Sequence, residues 1–149
     1  MRIALFQPDI PQNTGTILRM AACLGVAVDV IEPAGFDLSD RTLKRAALDY
    51  LAHVHLERHR SWDAFLAGRK GGRLVLLTTT AATSYLDHRF ASDDVLLLGR
   101  ESAGAPEYVH AMADARVRIP MRPQLRSLNI AIAAAMVLGE ALRQTSERP

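Results

Sequence analysis

The stretch Leu96-Leu97-Leu98-Gly99-Arg100-Glu101-Ser102-Ala103-Gly104 runs from an apolar strand into a polar loop bounded by glycines. Arg118-Ile119-Pro120-Met121 follows, then Arg126-Ser127-Leu128-Asn129 and an apolar helix. Strand ends and a polar helix start thus fall close together in the last third of the chain. Open α/β sheets bind ligands beyond the carboxyl ends of their strands. Glycines let a backbone come close to a ligand, and a helix start offers free N–H donors. The stretch therefore predicts an α/β sheet with a small-molecule site at one edge.

Working outward, Ile3 to Phe6 is a short apolar run that reads as a buried strand. Gln7 to Asn13 holds Pro8 and Pro11 and reads as a rigid loop. Asn13 or Thr14 then caps a helix on which Ile17, Leu18, Ala21, Ala22 and Leu24 recur at helical spacing, and Gly25 ends it. Val26 to Ile31 is a second strand. Asp40 opens a basic helix to about Ala47. Leu51 to Glu57 alternates and reads as a third strand. Ser61 caps a short helix with Trp62, Phe65 and Leu66 on one side, most simply a hydrophobic anchor. Arg73 to Thr79 is a fourth strand, Ser84 to Arg89 a turn or short helix, and Asp94 to Leu98 a fifth strand. Pro106 fits the first turn of a helix to about Met112. Val117 to Ile119 is a sixth strand. Ser127 caps a long helix to about Arg143, and the tail from Thr145 to Pro149 reads as frayed. Strands alternating with helices at this spacing argue for a parallel sheet flanked by helices.

The chain has 149 residues, which fits a single domain over 1–149 with a real core. Its formal net charge is only +2, so bulk charge says little about nucleic acid. The kind of base says more: of 18 basic residues only Lys44 and Lys70 are lysines. Arginine suits planar, bidentate phosphate recognition, although a GC-rich genome enriches it as well. The one cysteine, Cys23, excludes an internal disulfide framework and fits a reducing cytosol. Within an apolar helical stretch it reads as a small buried hydrophobe. No secretory leader is read before the first strand. The apolar stretch Leu128 to Leu142 is too short and too polar to span a membrane, so a cytoplasmic protein is expected.

Pro11-Gln12-Asn13-Thr14-Gly15 with Arg19, Leu98-Gly99-Arg100-Glu101-Ser102-Ala103-Gly104, and Arg118-Ile119-Pro120-Met121 with Ser127-Leu128-Asn129 resemble, in order, the three motifs of SPOUT-class RNA 2′-O-methyltransferases. The match extends to Ile31-Glu32-Pro33, Gly35-Phe36 and Leu48-Asp49-Tyr50. It is similar to the minimal, TrmL-like members, which methylate the ribose of the tRNA wobble nucleotide. The resemblance implies S-adenosylmethionine as methyl donor, a C-terminal trefoil knot, a homodimer, and the tRNA anticodon stem-loop as partner. General topology rules alone would argue against a knot.

Methyl transfer to a ribose hydroxyl requires alignment of oxygen, methyl carbon and sulfur, and loss of one proton. The resemblance assigns catalysis to Arg19. A guanidinium is a poor base, so Arg19 either holds a phosphate or stabilises the developing alkoxide. Without the motif, Arg19 would read as an arginine on the exposed side of a helix. The resemblance implies cofactor contacts, by position, at Leu77, Gly99 and Ile119 through backbone, with Ser127 as a polar contact. Individually these read as core residues, a turn glycine and a helix cap; together they favour a site. Asn13, Glu101 and Asn129 are candidates for support of the active site. Glu101 would bond to backbone or to arginine, and Asn129 would fix a loop or the ribose. Splayed loop nucleotides are where RNA is usually read. Arg41, Lys44 and Arg45 on one helix, and Arg122 and Arg126 flanking the third motif, are the candidates to hold it; the helix cluster reads equally well as a solvated face.

No metal is expected. His53 and His55 would share one strand face, but His59 falls beyond it and no cysteine or compact carboxylate set completes a tetrahedral site. Two residues depart from the family pattern: Arg100 stands where proline is usual, and Gly139 where some members carry tyrosine. Arg100 either alters the cofactor loop or adds a charge near RNA. The expected function is 2′-O-methylation of the wobble C or U of tRNA. The alternatives are the same chemistry on another tRNA or rRNA ribose, and a non-catalytic RNA-binding dimer of the same fold. An unrelated nucleotide-binding module is disfavoured, since neither G-x-G-x-x-G nor a Walker A sequence occurs.

Overall fold

The computed structural model describes residues 1–146. Seven strands form one parallel sheet in the order β3-β2-β1-β6-β4-β7-β5. They are β1 (Arg2–Phe6), β2 (Ala27–Ile31), β3 (Leu56–His59), β4 (Leu74–Leu77), β5 (Thr83–Ser84), β6 (Val95–Leu98) and β7 (Ala115–Arg118). The helices are α1 (Pro11–Leu24), α2 (Arg41–Ala47), α3 (Trp62–Gly68), α4 (Glu107–Met112) and α5 (Ile130–Thr145). A 3-10 turn over Leu48–His53 follows α2.

The three central strands are apolar at nearly every position because both of their faces are covered, as parallel sheets require. Ile3, Leu5, Val28, Val30, Val75, Leu96 and Leu98 point to one side, where they meet Ile17, Leu18 and Ala21 of α1 and Ala134, Val137, Leu138 and Ala141 of α5. Ala4, Phe6, Leu74, Leu76, Val95 and Leu97 point to the other side. There they meet Trp62 and Phe65 of α3 and Val109 of α4. The Trp62–Phe65 anchor is thus a core element, with Phe6 edge-on to Trp62 at 5.8 Å.

Several local readings change. Neither Asn13 nor Thr14 caps α1: Pro11 stands at the start of the helix, and Ile10 before it makes no side-chain cap. The fixed φ of proline suits that first position, and its missing N–H leaves one fewer donor to satisfy. Asn129, not Ser127, caps α5; its Oδ1 accepts from the amides of Ala131 and Ile132. Leu51 to His53 is not strand. Leu51 and Val54 recur at the three-residue period of a 3-10 turn, and β3 begins only at Leu56, paired with Val28. Within Ser84 to Arg89, Ser84 closes the two-residue strand β5, which pairs with β7. Cys23 and Leu24 are exposed. The inward stripe of α1 is Thr14, Gly15, Ile17, Leu18 and Ala21, and both residues fall off it at the last turn. Thr145 is the last helical residue rather than a frayed one, its hydroxyl donating to the carbonyl of Ala141 at 2.8 Å. The remaining tail positions, 147–149, lie outside the described residues. No helix among the described residues is long and apolar enough to cross a membrane.

Gly15 sets the approach of α2 to α1. A Cβ there would lie 2.5 Å from the Ala46 Cβ and 2.8 Å from the Leu43 carbonyl oxygen. Gly15→Val is expected to lower stability by about 1–3 kcal/mol, the usual cost of overpacking, read as a lower denaturant midpoint. An unchanged midpoint would mean that the helices separate without strain.

Candidate active site

A cleft of about 580 Å³ opens beyond the carboxyl ends of β4, β6 and β7. That position is where an open parallel sheet presents a ligand site, and the volume is in the range of small-molecule pockets. From β4 come Leu77, Thr78 and Thr79; from β6, Leu98 and Gly99 with the loop that follows; from β7, Val117 and Ile119. The start of α5 adds Ser127, Leu128, Asn129 and Ile130, and the start of α1 adds Ile10 and Asn13.

Gly99 is required where it stands. An added Cβ would lie 2.5 Å from both the Ala105 nitrogen and the Gly104 carbonyl carbon. The loop is folded tightly back on itself: the Arg100 amide donates to the Gly104 carbonyl at 3.0 Å, and the Gly104 amide to the Arg100 carbonyl at 2.8 Å. Across the cleft, Asn129 Nδ2 donates to Asn13 Oδ1 at 2.9 Å while its own Oδ1 caps α5. One side chain therefore ties the two helix starts together.

All four expected cofactor positions, Leu77, Gly99, Ile119 and Ser127, line this cleft, as do Asn13, Glu101, Asn129 and Arg126. Glu101 bonds to backbone: its Oε2 accepts from the Asp9 amide at 2.9 Å. Arg19 lies outside the cleft of its own chain. It is exposed on α1, two turns beyond Asn13, with its guanidinium 4.9 Å from the centre of the Tyr50 ring. Arg41, Lys44 and Arg45 are exposed on α2, and Arg122 is exposed on the segment leading to α5 but does not line the cleft.

Sequence reasoning missed Asp9. Its Oδ1 accepts from Arg100 Nη2 at 2.6 Å and Nε at 3.2 Å. Its Oδ2 accepts from the Ser102 hydroxyl at 2.6 Å and the Ser102 amide at 3.1 Å. The Arg100 guanidinium, helped by Ser102, holds the Asp9 carboxyl down at about 2 against the opposing effect of burial, so Asp9 stays ionised at neutral pH. Arg100 is thereby tied into the loop that walls the cleft. Nothing in the local sequence signals the pair, because its members are 91 positions apart. Thr78 and Thr79, which read as the end of the fourth strand, also line the cleft; the only signal is the run of three threonines, Thr78 to Thr80, after the apolar residues.

The histidines separate. His53 is in the 3-10 turn, not on a strand beside His55; His55 pairs with Glu57, and His59 Nε2 meets Asp29 Oδ1 at 2.7 Å. Among the described residues, Asp29, Glu57 and His59 form the group whose ligand atoms approach closely enough for a metal. Arg2 already pairs with both of its carboxylates. Its guanidinium grips Asp29 through Nε at 2.8 Å and Nη2 at 3.0 Å and reaches Glu57 at 3.3 Å. Asp29 is buried, and a buried carboxylate is held by a partnered positive charge. The cluster reads as a structural ion network on the α3 side of the sheet.

The model of the SpoU rRNA Methylase family matches residues 1–139. The chain belongs to that family. Among SpoU proteins, the tRNA (cytidine(34)-2′-O)-methyltransferase of Beijerinckia indica is 64% identical over 144 residues, spanning 95% of this chain and 90% of the relative. A solved structure described as giving insight into 2-OH methylation of C/U34 on tRNA superposes with a TM-score of 0.92. It is 44% identical, and the alignment covers 96% of this chain and 94% of that one. An AdoMet-bound rRNA methyltransferase from Sinorhizobium meliloti superposes with a TM-score of 0.87 at 29% identity. There the match covers 95% of this chain but 55% of the other. The SpoU family has the SPOUT knot, so the expected knotted α/β fold comes with membership.

Proposed function

We propose that this protein is an S-adenosylmethionine-dependent tRNA methyltransferase that modifies the ribose 2′-hydroxyl of the wobble nucleotide, C or U at position 34. The observation that carries the reading is the convergence of the three loops after β4, β6 and β7 on one cleft in a SpoU chain that matches a C34 methyltransferase almost end to end. A tRNA substrate fits a cytoplasmic protein.

The cleft fits the donor. Its apolar wall of Leu77, Leu98, Val117, Ile119 and Ile130 suits a purine ring, and its backbone edges and Ser127 offer polar partners. When bound, the donor supplies a methyl group already made electrophilic by a positive sulfonium, so the protein needs no Lewis acid to activate it. What the chain must do is orient the hydroxyl oxygen in line, exclude water and stabilise the charge that builds on oxygen as its proton departs. Asn13 and Asn129, locked to each other, hold the two helix starts at the fixed separation that alignment demands.

Arg19 is the residue we assign to the reacting oxygen or its neighbouring phosphate. A guanidinium stays charged and presents a fork of donors, which suits anion stabilisation and not proton abstraction. Because Arg19 lies outside its own cleft, we infer a homodimer in which it serves the cleft of the second copy. An exposed apolar stripe supports this: Ile132, Met136 and the open position at Gly139 on α5, with Leu24 on α1. Arg41, Lys44 and Arg45 then flank α1 as a phosphate-binding edge, with Arg126 at the cleft and Arg122 exposed on the segment leading to α5.

Mass spectrometry of nucleosides from tRNA of cells with and without the protein tests this. Loss of 2′-O-methylated C or U at position 34 in the deletion, and its return on complementation, is the expected result. Ribose methylation unchanged at position 34 but lost elsewhere in tRNA or rRNA would move the address and keep the chemistry.

A further inference from the structure

The loop after β1 lines the cleft through Ile10, with Asn13 just beyond it in α1, and the loop after β6 lines it through Gly99, Arg100, Glu101, Ala103, Gly104 and Ala105. They belong to adjacent parallel strands, paired from Arg2↔Val95 to Leu5↔Leu98. Beyond that register the backbones diverge, and the space between them is spanned by side chains. Asp9 makes the span almost alone. One carboxylate oxygen takes two donors of Arg100, the other takes the hydroxyl and amide of Ser102, and the Asp9 amide returns a bond to Glu101. Three consecutive residues of one loop are thus held by a single residue of the other.

We propose that Asp9 is a positioning residue for methyl-donor binding: through Arg100, Ser102 and Glu101 it latches two of the loops that wall the cleft, and the closed latch sets the affinity for the donor. This rests on reading the cleft as the S-adenosylmethionine site. The internal Arg100–Gly104 bridge fixes the shape of the 100–104 turn but not its place over the cleft. The Asp9 contacts supply the place. They also occupy the Arg100 guanidinium, so this arginine acts on the loop and not as a free cation for RNA. Charge-assisted hydrogen bonds of this kind are the stronger class, and two loops tied in the free protein need not be ordered when the donor enters.

The test is a double-mutant cycle on Asp9→Asn and Arg100→Gln, read by calorimetry for S-adenosylmethionine and by tRNA binding, with thermal melting to show that each variant is folded. Each single variant is expected to raise the donor Kd about tenfold, the scale of one lost charge-assisted bond, with tRNA affinity within about twofold. The double variant is expected to be no weaker than either single, because both changes open the same latch. Arg100→Lys, which keeps the charge but loses the fork, falls between. Should Asp9→Asn fail to fold, Ser102→Ala removes one strand of the latch and is expected to weaken the donor by a few fold. Donor affinity unmoved in the folded variants, losses that multiply in the double, or an Arg100→Gln effect on tRNA as large as that on donor would overturn the proposal alone. A wild-type protein with no affinity for S-adenosylmethionine would overturn the site reading and the proposal together.

Discussion

Arg19→Ala is expected to lower methyl transfer to tRNA by about 10²–10³-fold, the scale of losing one preorganised electrostatic donor to a developing anion. Donor affinity is expected to stay unchanged, because Arg19 lines no part of its own cleft and is assigned, in the second copy's cleft, to the RNA hydroxyl or phosphate and not to the donor. Its side chain is ordered by the Tyr50 ring, 4.9 Å from the guanidinium carbon, so little rearrangement is needed when an anion arrives. Single-turnover kinetics at saturating donor separate the chemical step from binding. Mixing inactive subunits decides which cleft Arg19 serves. A dimer of one Arg19→Ala chain and one Gly99→Ala chain has one intact cleft, facing one intact Arg19 across the interface. Recovered activity in the mixture is the expected result. No recovery would place Arg19 in its own cleft, and full activity of Arg19→Ala alone would remove its catalytic role.

Gly99→Ala is expected to cost donor binding at least tenfold and stability about 1–3 kcal/mol, because a single added methyl has nowhere to go. It meets two backbone atoms at 2.5 Å, and neither can swing aside as the end of a side chain would. The strand before it is buried and paired on both sides, so the displacement falls on the 100–104 turn, which is the cleft wall. Equilibrium dialysis with S-adenosylmethionine and a thermal melt measure the two losses. Normal donor affinity in a folded Gly99→Ala protein would mean that this wall does not touch the donor.

The elements with strong local signals were legible in the chain. Asp40 caps α2 and Ser61 caps α3, as their residue types and spacing required. The central strands could be read because burial on both faces forces continuous apolar runs, and β1, β4 and β6 are such runs. β3 is misplaced and β5 goes unread for the converse reason. β3 is largely half-buried and β5 is two residues long, so each takes its position from its neighbour and not from its own pattern. The cap of α5 was misjudged because Ser127 and Asn129 are equally good capping types; where the chain turns decides between them.

The candidate site divides the same way. The residues that line the cleft could be read from motifs because each motif is a strand end or a helix start, and a parallel sheet brings the carboxyl ends of its strands to one edge. The amino-acid sequence by itself therefore determined the layered α/β fold, the family and the loops that build the cleft. Only the tertiary structure decided that Arg19 stands outside the cleft of its own chain, that Arg2 pairs with Asp29, and that Asp9 bonds to Arg100, Glu101 and Ser102 of the loop after β6. Those facts depend on pairings between residues far apart in the chain. Local propensity and period carry no information about such partners until the sheet has set its register.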